Sequence, residues 1–302
     1  MSVKAAIAES ALTLPRGRLS DYLELTKPRV VLMVLVTTLA GFYLGGRTGF
    51  DVTLALNLLA GTALAAGGTL ALNQYVERDT DAMMDRTRHR PLPDMRMRPA
   101  EALMFGVVAT AGGLLYLVLA TNMLCAAVTA AITIVYLGAY TPLKRYTWMC
   151  NLVGAIPGAL PPVAGWAAAR GGLSWEPAVL FAIMFLWQLP HTFAVARLYR
   201  TDYARAGIHL LPQDNSRGGN ASNPIVIAGS LGLVAVGIIP TMLGFTGIPY
   251  AVIASALGVW MLAFGVSMVR AQGNSKAARR LLLASIVYFR PCCWYWCWIE
   301  CE

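Results

Sequence analysis

Four polar side chains recur at four-residue steps where a long apolar run meets an arginine-rich segment. They are Asn73, Glu77, Asp81 and Asp85, and the apolar run before them covers residues 54–72. Because four residues advance an α-helix by slightly more than one turn, the spacing predicts that all four side chains share one helical face. Such oxygen donors suit Mg²⁺, which is often shared between one or two carboxylates and a substrate phosphate. The pattern therefore indicates diphosphate chemistry at a membrane surface.

The competing interpretation of this face is a charged, solvated helix end with an ion pair across one turn. An asparagine inside the apolar boundary, followed by carboxylates at every fourth position, favours a functional face, because polar groups at membrane depth are usually functional. Glu77 and Asp81 are the strongest predicted ligands, and Asn73 adds a neutral oxygen donor. Asp79 lies elsewhere on the helix, and we expect it to face solvent or to pair with Arg78.

Basic residues follow this face and recur at the end of the fourth predicted span. Arg86 and Arg90 are candidate diphosphate clamps, because guanidinium groups bind phosphate oxygens in a bidentate manner. Lys144 and Arg145 place two more cations at the membrane boundary, where Lys144 suits a leaving phosphate. An ordinary excess of cytoplasmic positive charge explains three further arginines equally well: Arg88, Arg96 and Arg98.

A second polar group comes from the sixth predicted span and the loop after it. The span ends in Trp187, Gln188 and His191, and the loop supplies Asp202, a candidate ligand for a second Mg²⁺. For His191 and Asp202 the sequence leaves a functional role and a packed or paired role equally open. Three aromatic residues are candidates either for stabilising a carbocation or for anchoring the membrane interface: Tyr75, Tyr140 and Trp187.

The elements that position these groups are membrane spans. Of the 302 residues, 57% are hydrophobic and 13% are charged, which excludes an ordinary soluble domain. Since a helix of ~20 apolar residues crosses a bilayer, we predict an all-α integral membrane protein with nine spans. Glycines and prolines in the fifth span predict bends around a cavity. The spans are expected at about 29–46, 53–74, 100–119, 121–140, 148–168, 176–196, 224–244, 247–269 and 281–299.

Positive charge alternates between the segments that join the spans. With the N-terminus in the cytoplasm, the outside segments hold only Arg47 and Arg170, while one inside segment alone holds six arginines. The asymmetry predicts a cytoplasmic N-terminus and an active site that faces the cytoplasm. It also explains the net charge of +9 without any nucleic acid partner. No signal peptide is evident, so a bacterial inner membrane is the expected location.

The C-terminal end is unusually rich in cysteine and tryptophan. A metal or disulfide cluster is a weak interpretation, because no ligand set with zinc-finger spacing accompanies these residues. Reading the codons of residues 293–299 one nucleotide earlier gives Leu-Leu-Val-Leu-Val-Leu-Asp, an ordinary end to a transmembrane helix. We therefore expect that the chain beyond about Phe289 is frameshifted, and sequencing of the gene tests this hypothesis.

Four segments resemble the heme-farnesylating branch of the UbiA-like intramembrane prenyltransferases, the protoheme IX farnesyltransferase (heme O synthase) family. They are LELTKPRVV at 23–31, NQYVERDTDAMMDRTRHRPLP at 73–93, YTPLKRYTWMCNLVGAIPGALPPVAGWAA at 140–168 and WQLPHTFAVARLYRTDYARAGIHLLP at 187–212. The resemblance implies nine transmembrane helices around a central cavity. It also implies one prenyltransferase domain at 27–299, after a cytoplasmic segment at 1–26.

The same resemblance implies two Mg²⁺-binding acidic motifs on the cytoplasmic side. The first comprises Asn73, Glu77 and Asp81, and the second contains Asp202. Diphosphate contacts are implied for Arg86, Arg90, Lys144 and Arg145. Two features depart from the family pattern: His209 stands where proline is usual, and the segment 213–223 differs from the usual continuation.

The implied reaction transfers the farnesyl group of farnesyl diphosphate to the 2-vinyl group of heme b and adds water. The products are heme O, used in heme-copper terminal oxidases, and diphosphate. Heme b is then a substrate rather than a permanent cofactor, and His191 is a candidate for orienting it or binding its iron. Besides the lipid bilayer, implied partners are heme A synthase or oxidase assembly factors.

Two alternative functions stay open from the sequence. One is a polyprenyltransferase that acts on a quinone-precursor aromatic acid, and the choice of acceptor separates it from the first function. The other is a secondary transporter. Transporters usually hold their ionisable ligands near the bilayer midplane, whereas these acids cluster at one end of a span.

Overall fold

The computed structural model describes residues 17–46, 49–212, 222–244, 246–271 and 274–296, with side chains up to Tyr288. The regular elements of these ranges are helices. They are α1 (Arg18–Leu25), α2 (Pro28–Gly45), α3 (Val52–Ala82), α4 (Pro99–Ala120), α5 (Met123–Ile134), α6 (Thr141–Leu143), α7 (Cys150–Ala159), α8 (Pro161–Arg170), α9 (Pro177–Leu198), α10 (Arg200–Arg205), α11 (Asn223–Gly237), α12 (Ile239–Met242), α13 (Ile248–Arg270) and α14 (Ser275–Trp296).

Eight segments of the described chain are long and apolar enough to cross a membrane. Five of them are single helices, and three join consecutive elements; the fifth span, for example, joins α7 and α8. Helix α14 is a ninth long helix, and its first turns carry Lys276, Arg279 and Arg280. The prediction of an all-α, multi-span membrane protein is confirmed. Its nine spans correspond to these eight segments together with α14.

Helix α3 decides where the acidic residues lie. It starts at the N-cap Asp51, whose carboxylate accepts a hydrogen bond of 2.9 Å from the Leu54 N–H. Its 31 residues give a length of about 46 Å at 1.5 Å per residue, well beyond the ~30 Å of a bilayer's hydrocarbon core. The apolar span was predicted to end at about 74, and the helix itself continues to Ala82, as the predicted common face of Asn73, Glu77 and Asp81 requires. Glu77 and Asp81 are therefore held on a rigid helix rather than in a loop.

Small residues allow the helices around the site to pack closely. A Cβ atom added to Gly41 of α2 would overlap the backbone of Pro162 in α8, and one added to Gly165 would overlap the Thr38 carbonyl. Such close backbone approach is typical of membrane helices, where small residues replace the hydrophobic driving force with van der Waals contact. Helix α2, which begins next to the acidic site, is thereby fixed against α8.

Two interruptions shape the interior of the bundle. Between α5 and α6, residues Val135–Tyr140 form a π-helical turn. Pro142 follows it, and because proline has no N–H, the carbonyl four residues earlier loses its α-helical partner. In the fifth span, α7 ends at Ala159 and α8 begins at Pro161. The predicted bend in that span is confirmed.

The cysteine-rich tail lies largely outside the described residues. The backbone of α14 is described to Trp296, whereas the side chains from Phe289 onwards and residues 297–302 are not. The frameshift hypothesis and the cysteine cluster therefore remain predictions. The two cysteines whose side chains are described, Cys125 and Cys150, are buried free thiols.

Candidate active site

Three of the four predicted side chains share the last turns of α3. Asn73 and Asp81 are each 1% exposed, and the Glu77 side chain between them is 14% exposed. Burial of two carboxylates at a helix end requires cationic partners or metal ions. The predicted common face of Asn73, Glu77 and Asp81 is present.

Asp85 does not continue this face, so its predicted position was wrong. The helix ends at Ala82, and the chain turns before Asp85. The Asp85 carboxylate is 56% exposed and pairs with Arg88 at 3.5 Å and Arg205 at 2.8 Å. A hydrogen bond from Arg205 and its positive charge lower the pKa of Asp85 below its usual value. The four-residue spacing in the sequence extends further than the helix does.

Three cations meet the three side chains of the acidic face, one each. Lys27 Nζ donates to Asn73 Oδ1 at 3.1 Å, and Lys144 Nζ donates to Glu77 Oε1 at 2.8 Å. Arg90 Nη1 donates to Asp81 Oδ2 at 2.6 Å. Three cations around two carboxylates leave an excess of positive charge, which is the electrostatic environment that an anionic substrate requires.

Lys27 was missed as a site residue in the sequence, although it lies in the TKPR segment. Its backbone has a left-handed φ of 51°, just before the α2 N-terminal Pro28. The Gln74 amide donates to the Leu25 carbonyl at 2.7 Å and so fixes the end of α1 next to Lys27. Burial, with a further contribution from the positive charge of Arg90, lowers the pKa of Lys27 to about 7. An anion bound here would therefore stabilise the charged form of this lysine.

The π-helical turn brings the second lysine to the site. Asn73 Nδ2 donates to Thr141 Oγ1 at 3.2 Å, and Thr141 Oγ1 donates to the Tyr136 carbonyl at 2.8 Å. Lys144 Nζ lies 4.2 Å from the centre of the Tyr140 ring, a cation–π contact. Burial alone lowers the pKa of Lys144, but Tyr140 and Glu77 outweigh it, so the pKa lies above its usual value.

Other predicted diphosphate contacts lie at the edge of this group. Arg145 Nη2 donates to Thr80 Oγ1 at 3.3 Å. The Arg86 guanidinium lies 5.4 Å from the centre of the Tyr199 ring. Arg145 thus contacts α3 beside the acidic face, whereas Arg86 packs on a tyrosine of another segment. Both partners are neutral, which leaves the charge of each arginine available for an anion.

The second acidic position consists of one carboxylate. Asp202 lies 3.8 Å from Arg205, and the same guanidinium pairs with Asp85. Among the described residues, no group of three or more His, Cys, Asp or Glu side chains is arranged to hold a metal ion. Glu77, Asp81 and the Asn73 oxygen fit Mg²⁺ that is shared with a diphosphate, because such ions need only one or two protein carboxylates. Asp202 offers a single carboxylate, so a metal ion there would depend still more on the oxygens of the substrate.

An internal cavity of about 270 Å³ begins beside these cations. Tyr136, Tyr140 and Gln188 line it, and Thr62 and Ala164 lie at its far end. From Leu70 to Thr62, the lining residues of α3 rise about 12 Å along the helix. The wall consists mainly of apolar side chains, glycines and threonines. The site thus combines a polar, cationic mouth with an elongated apolar interior.

Trp187 and His191 face away from this cavity. Their rings stack with centres 4.9 Å apart, and His191 Nδ1 lies 2.8 Å from Ser285 Oγ of α14. Trp187 Nε1 donates to the Ser285 carbonyl at 2.8 Å. On α9 it is Gln188 and Thr192 that line the cavity. The sequence left a packed and a functional role for His191 equally open, and this geometry favours the packed role.

Comparison with known proteins agrees with this geometry. Residues 34–287 match the model of the UbiA prenyltransferase family. The chain belongs to the UbiA prenyltransferase family. A protoheme IX farnesyltransferase from Solibacter usitatus is 44% identical over 277 residues, covering 89% of this chain and 94% of the relative. One of the same name from Koribacter versatilis is 41% identical over 279 residues, covering 89% and 90%.

Solved structures share the fold of this UbiA family member at low sequence identity. A structure of digeranylgeranylglyceryl phosphate synthase superposes with a TM-score of 0.77 at 15% identity, covering 92% of this chain and 96% of the other. A UbiA homolog from Archaeoglobus fulgidus, bound to DMAPP and Mg²⁺, gives a TM-score of 0.64 at 16% identity, covering 90% and 99%. These likenesses confirm the predicted UbiA-like fold.

The backbone N–H of His209 donates to the Lys144 carbonyl at 2.8 Å. A proline at this position could not make the bond, because it has no N–H. The loop after α10 is therefore tied to the residue that carries the Glu77 contact.

Proposed function

We propose that this protein transfers the farnesyl group of farnesyl diphosphate to the 2-vinyl group of heme b, with addition of water. The products are heme O and diphosphate. One observation carries the proposal: the buried cluster of three cations and two carboxylates opens onto an elongated apolar cavity. The names of the relatives support heme b as the acceptor and farnesyl diphosphate as the donor.

The mouth of the cavity binds and orients the diphosphate. Lys27, Lys144 and Arg90 supply buried positive charge, and each is within reach of the acidic face. Asn73, Glu77 and Asp81 would hold Mg²⁺ together with the substrate, and Mg²⁺ would neutralise charge on the departing diphosphate. Charged groups held in place before the reaction lower the barrier because they need no reorganisation when charge develops.

The cavity interior accommodates the farnesyl chain and keeps bulk water out. Its lining residues on α3, from Leu70 to Thr62, span about 12 Å and give the chain room below the cationic mouth. Once the carbon–oxygen bond breaks, the allylic cation lies next to Tyr136 and Tyr140, whose ring faces stabilise positive charge. Exclusion of water protects that cation until the vinyl group attacks it.

The distribution of positive charge supports a cytoplasmic location for the active site. The acidic face lies at the end of α3 that continues into the arginine-rich segment 86–98, and cytoplasmic segments hold the excess of Lys and Arg. We propose that the N-terminus is cytoplasmic and that the protein resides in a bacterial inner membrane. Glu77 and Asp81 occupy the last turns of α3, which disfavours a transporter with a midplane site.

Purified protein in lipid nanodiscs tests the proposal. With farnesyl diphosphate, heme b and Mg²⁺, we expect release of diphosphate and a new pigment heavier than heme b by a hydroxylated farnesyl unit. Chelation of Mg²⁺ should stop both. Farnesylation of 4-hydroxybenzoate but not of heme b would instead identify a quinone-precursor prenyltransferase. Absence of any diphosphate release would contradict a prenyltransferase function.

A further inference from the structure

The end of the central cavity furthest from the acidic face has a wall residue on each of four helices. They are Thr38 of α2, Thr62 of α3, Thr129 of α5 and Ala164 of α8. Helices α2 and α8 run away from the acidic face, whereas α3 and α5 run towards it. One helical turn deeper is therefore four residues later in α2 and α8, and four residues earlier in α3 and α5.

These next positions form one packed layer, which we call the plug. The plug consists of Phe42, Leu58, Cys125 and Ala168, each at most 4% exposed, and all four belong to one hydrophobic cluster. Asn122, the N-cap of α5, ties two of the four helices together, because its Nδ2 donates to the Ala167 carbonyl of α8 at 2.9 Å. The plug lies about 6 Å beyond the four wall residues and closes this end of the cavity.

The volume of the cavity limits how many carbon atoms lie above the plug. A protein cavity of about 150 Å³ binds benzene, which has six carbon atoms, so about 270 Å³ has room for about 11 carbon atoms at the same density. Two isoprene units contain ten carbon atoms. With the first unit of a prenyl diphosphate at the mouth beside Lys144 and Tyr140, two further units fill the cavity, and the last one contacts the plug.

We propose that the plug selects the length of the prenyl donor, because it admits three isoprene units and excludes a fourth. This inference rests on the proposed function, in which the donor is farnesyl diphosphate. A fourth unit adds five carbon atoms, and a close-packed layer has no such space unless its side chains move. Cys125 and Ala168 are small, so Phe42 and Leu58 supply most of the barrier.

Removal of carbon atoms from the plug changes the preference for donor length. Leu58→Ala removes three carbon atoms, and Phe42→Ala removes six, which exceeds the five of an isoprene unit. We expect each variant to bind geranylgeranyl diphosphate about tenfold or more tightly relative to farnesyl diphosphate than the wild type does. This is the scale on which a methylene group in an apolar pocket alters discrimination. Phe42→Ala opens the larger space and should show the larger change.

Thr62→Leu changes the same end of the cavity in the opposite direction. The larger side chain shortens the cavity above the plug, so the affinity for geranyl diphosphate relative to farnesyl diphosphate should rise about tenfold. Leu56→Ala is the matched control for Leu58→Ala, because it makes the same change on the same helix. Leu56 is 62% exposed on the outer surface, and its replacement should leave the preference for donor length as in the wild type.

The experiment measures equilibrium binding of geranyl, farnesyl and geranylgeranyl diphosphate to each variant in lipid nanodiscs with Mg²⁺, by isothermal titration calorimetry. The wild type should bind farnesyl diphosphate more tightly than geranylgeranyl diphosphate. Size-exclusion profiles measure folding. A second set of samples contains heme b, and the mass of the pigment gives the length of the prenyl group that was transferred.

Equal affinity of the wild type for farnesyl and geranylgeranyl diphosphate would overturn the proposal. The same shift in Leu56→Ala as in Leu58→Ala would also overturn it, as would an unchanged preference in the folded plug variants. If neither plug variant folds, an unchanged preference in Thr62→Leu has the same meaning. Length-selective binding without any farnesylated heme would instead refute the proposed function and leave the role of the plug in place.

Discussion

Replacement of Asp81 by asparagine tests the acidic face most directly. Asparagine has nearly the same shape and retains one oxygen, but it removes the charge that faces Arg90 Nη1 at 2.6 Å. The Asp81 side chain is 2% exposed, so water cannot compensate for the lost charge. We expect Asp81→Asn to insert in the membrane and to lose most of its activity.

The magnitude follows from the single contact that is removed. A hydrogen bond to a buried charged group contributes about 1.5–3 kcal/mol. Since about 1.4 kcal/mol corresponds to a factor of ten in rate, kcat/KM should fall about 10- to 150-fold. Loss of a carboxylate that also serves Mg²⁺ would place the effect at the upper end of this range.

Asp85→Asn is the matched control, because the same chemical change occurs four residues later in the same sequence pattern. Asp85 is 56% exposed and pairs with the exposed Arg205. Exposed ion pairs contribute little, so its activity should change by a few-fold at most. Diphosphate release under initial-rate conditions measures both variants, with size-exclusion profiles as the measure of folding.

Equal losses in the two variants would refute this reasoning. They would mean that Asp85 contributes to diphosphate binding as much as Asp81 does, although α3 ends at Ala82. The four-residue spacing in the sequence would then identify the site residues better than the end of the helix does. Full activity of Asp81→Asn would remove Asp81 from the metal ligands.

Three further changes probe the cations and the cavity. Lys144→Met should lower diphosphate release about 100-fold or more, as expected for a group that stabilises transition-state charge; Lys276→Met, at the exposed start of α14, should not. Lys27→Met should raise the KM for farnesyl diphosphate about tenfold, because a charge-assisted phosphate contact is lost; an unchanged KM would exclude this contact. Ala66→Phe places a ring in the cavity wall about 10 Å along α3 from Asn73. It should reduce turnover of farnesyl diphosphate more than that of geranyl diphosphate, and equal reductions would show that the chain does not extend past Ala66.

Most of the fold was predictable because membrane spans carry a strong local signal. Long apolar runs must be helical, since a bilayer offers no hydrogen-bond partners to an open backbone. The ends of the spans were less certain. The helical spacing placed Glu77 and Asp81 on a face beyond the apolar span, but it did not show that they are buried. Lys144, 67 residues from Glu77, and Arg90, nine residues from Asp81, allow both carboxylates to stay buried on the helix.

The site was predictable only in part, because two of its cations come from segments that are far from the acidic face in the sequence. Asn73, Glu77 and Asp81 lie on one continuous helix, and helical spacing alone aligns them. Lys27 reaches Asn73 from 46 residues away, and Lys144 reaches Glu77 from 67 residues away. No periodicity relates such positions, so only the packed bundle identifies these pairs.

The sequence by itself determined the class of this protein: a multi-span helical membrane enzyme with an acidic face and a basic surface on one side. These properties depend on composition and on spacings within single helices, which act locally. The tertiary structure decided which cation meets which carboxylate, excluded Asp85 from the face, and turned His191 towards α14. These outcomes depend on where helices end and which faces they present to one another, and long-range packing settles both.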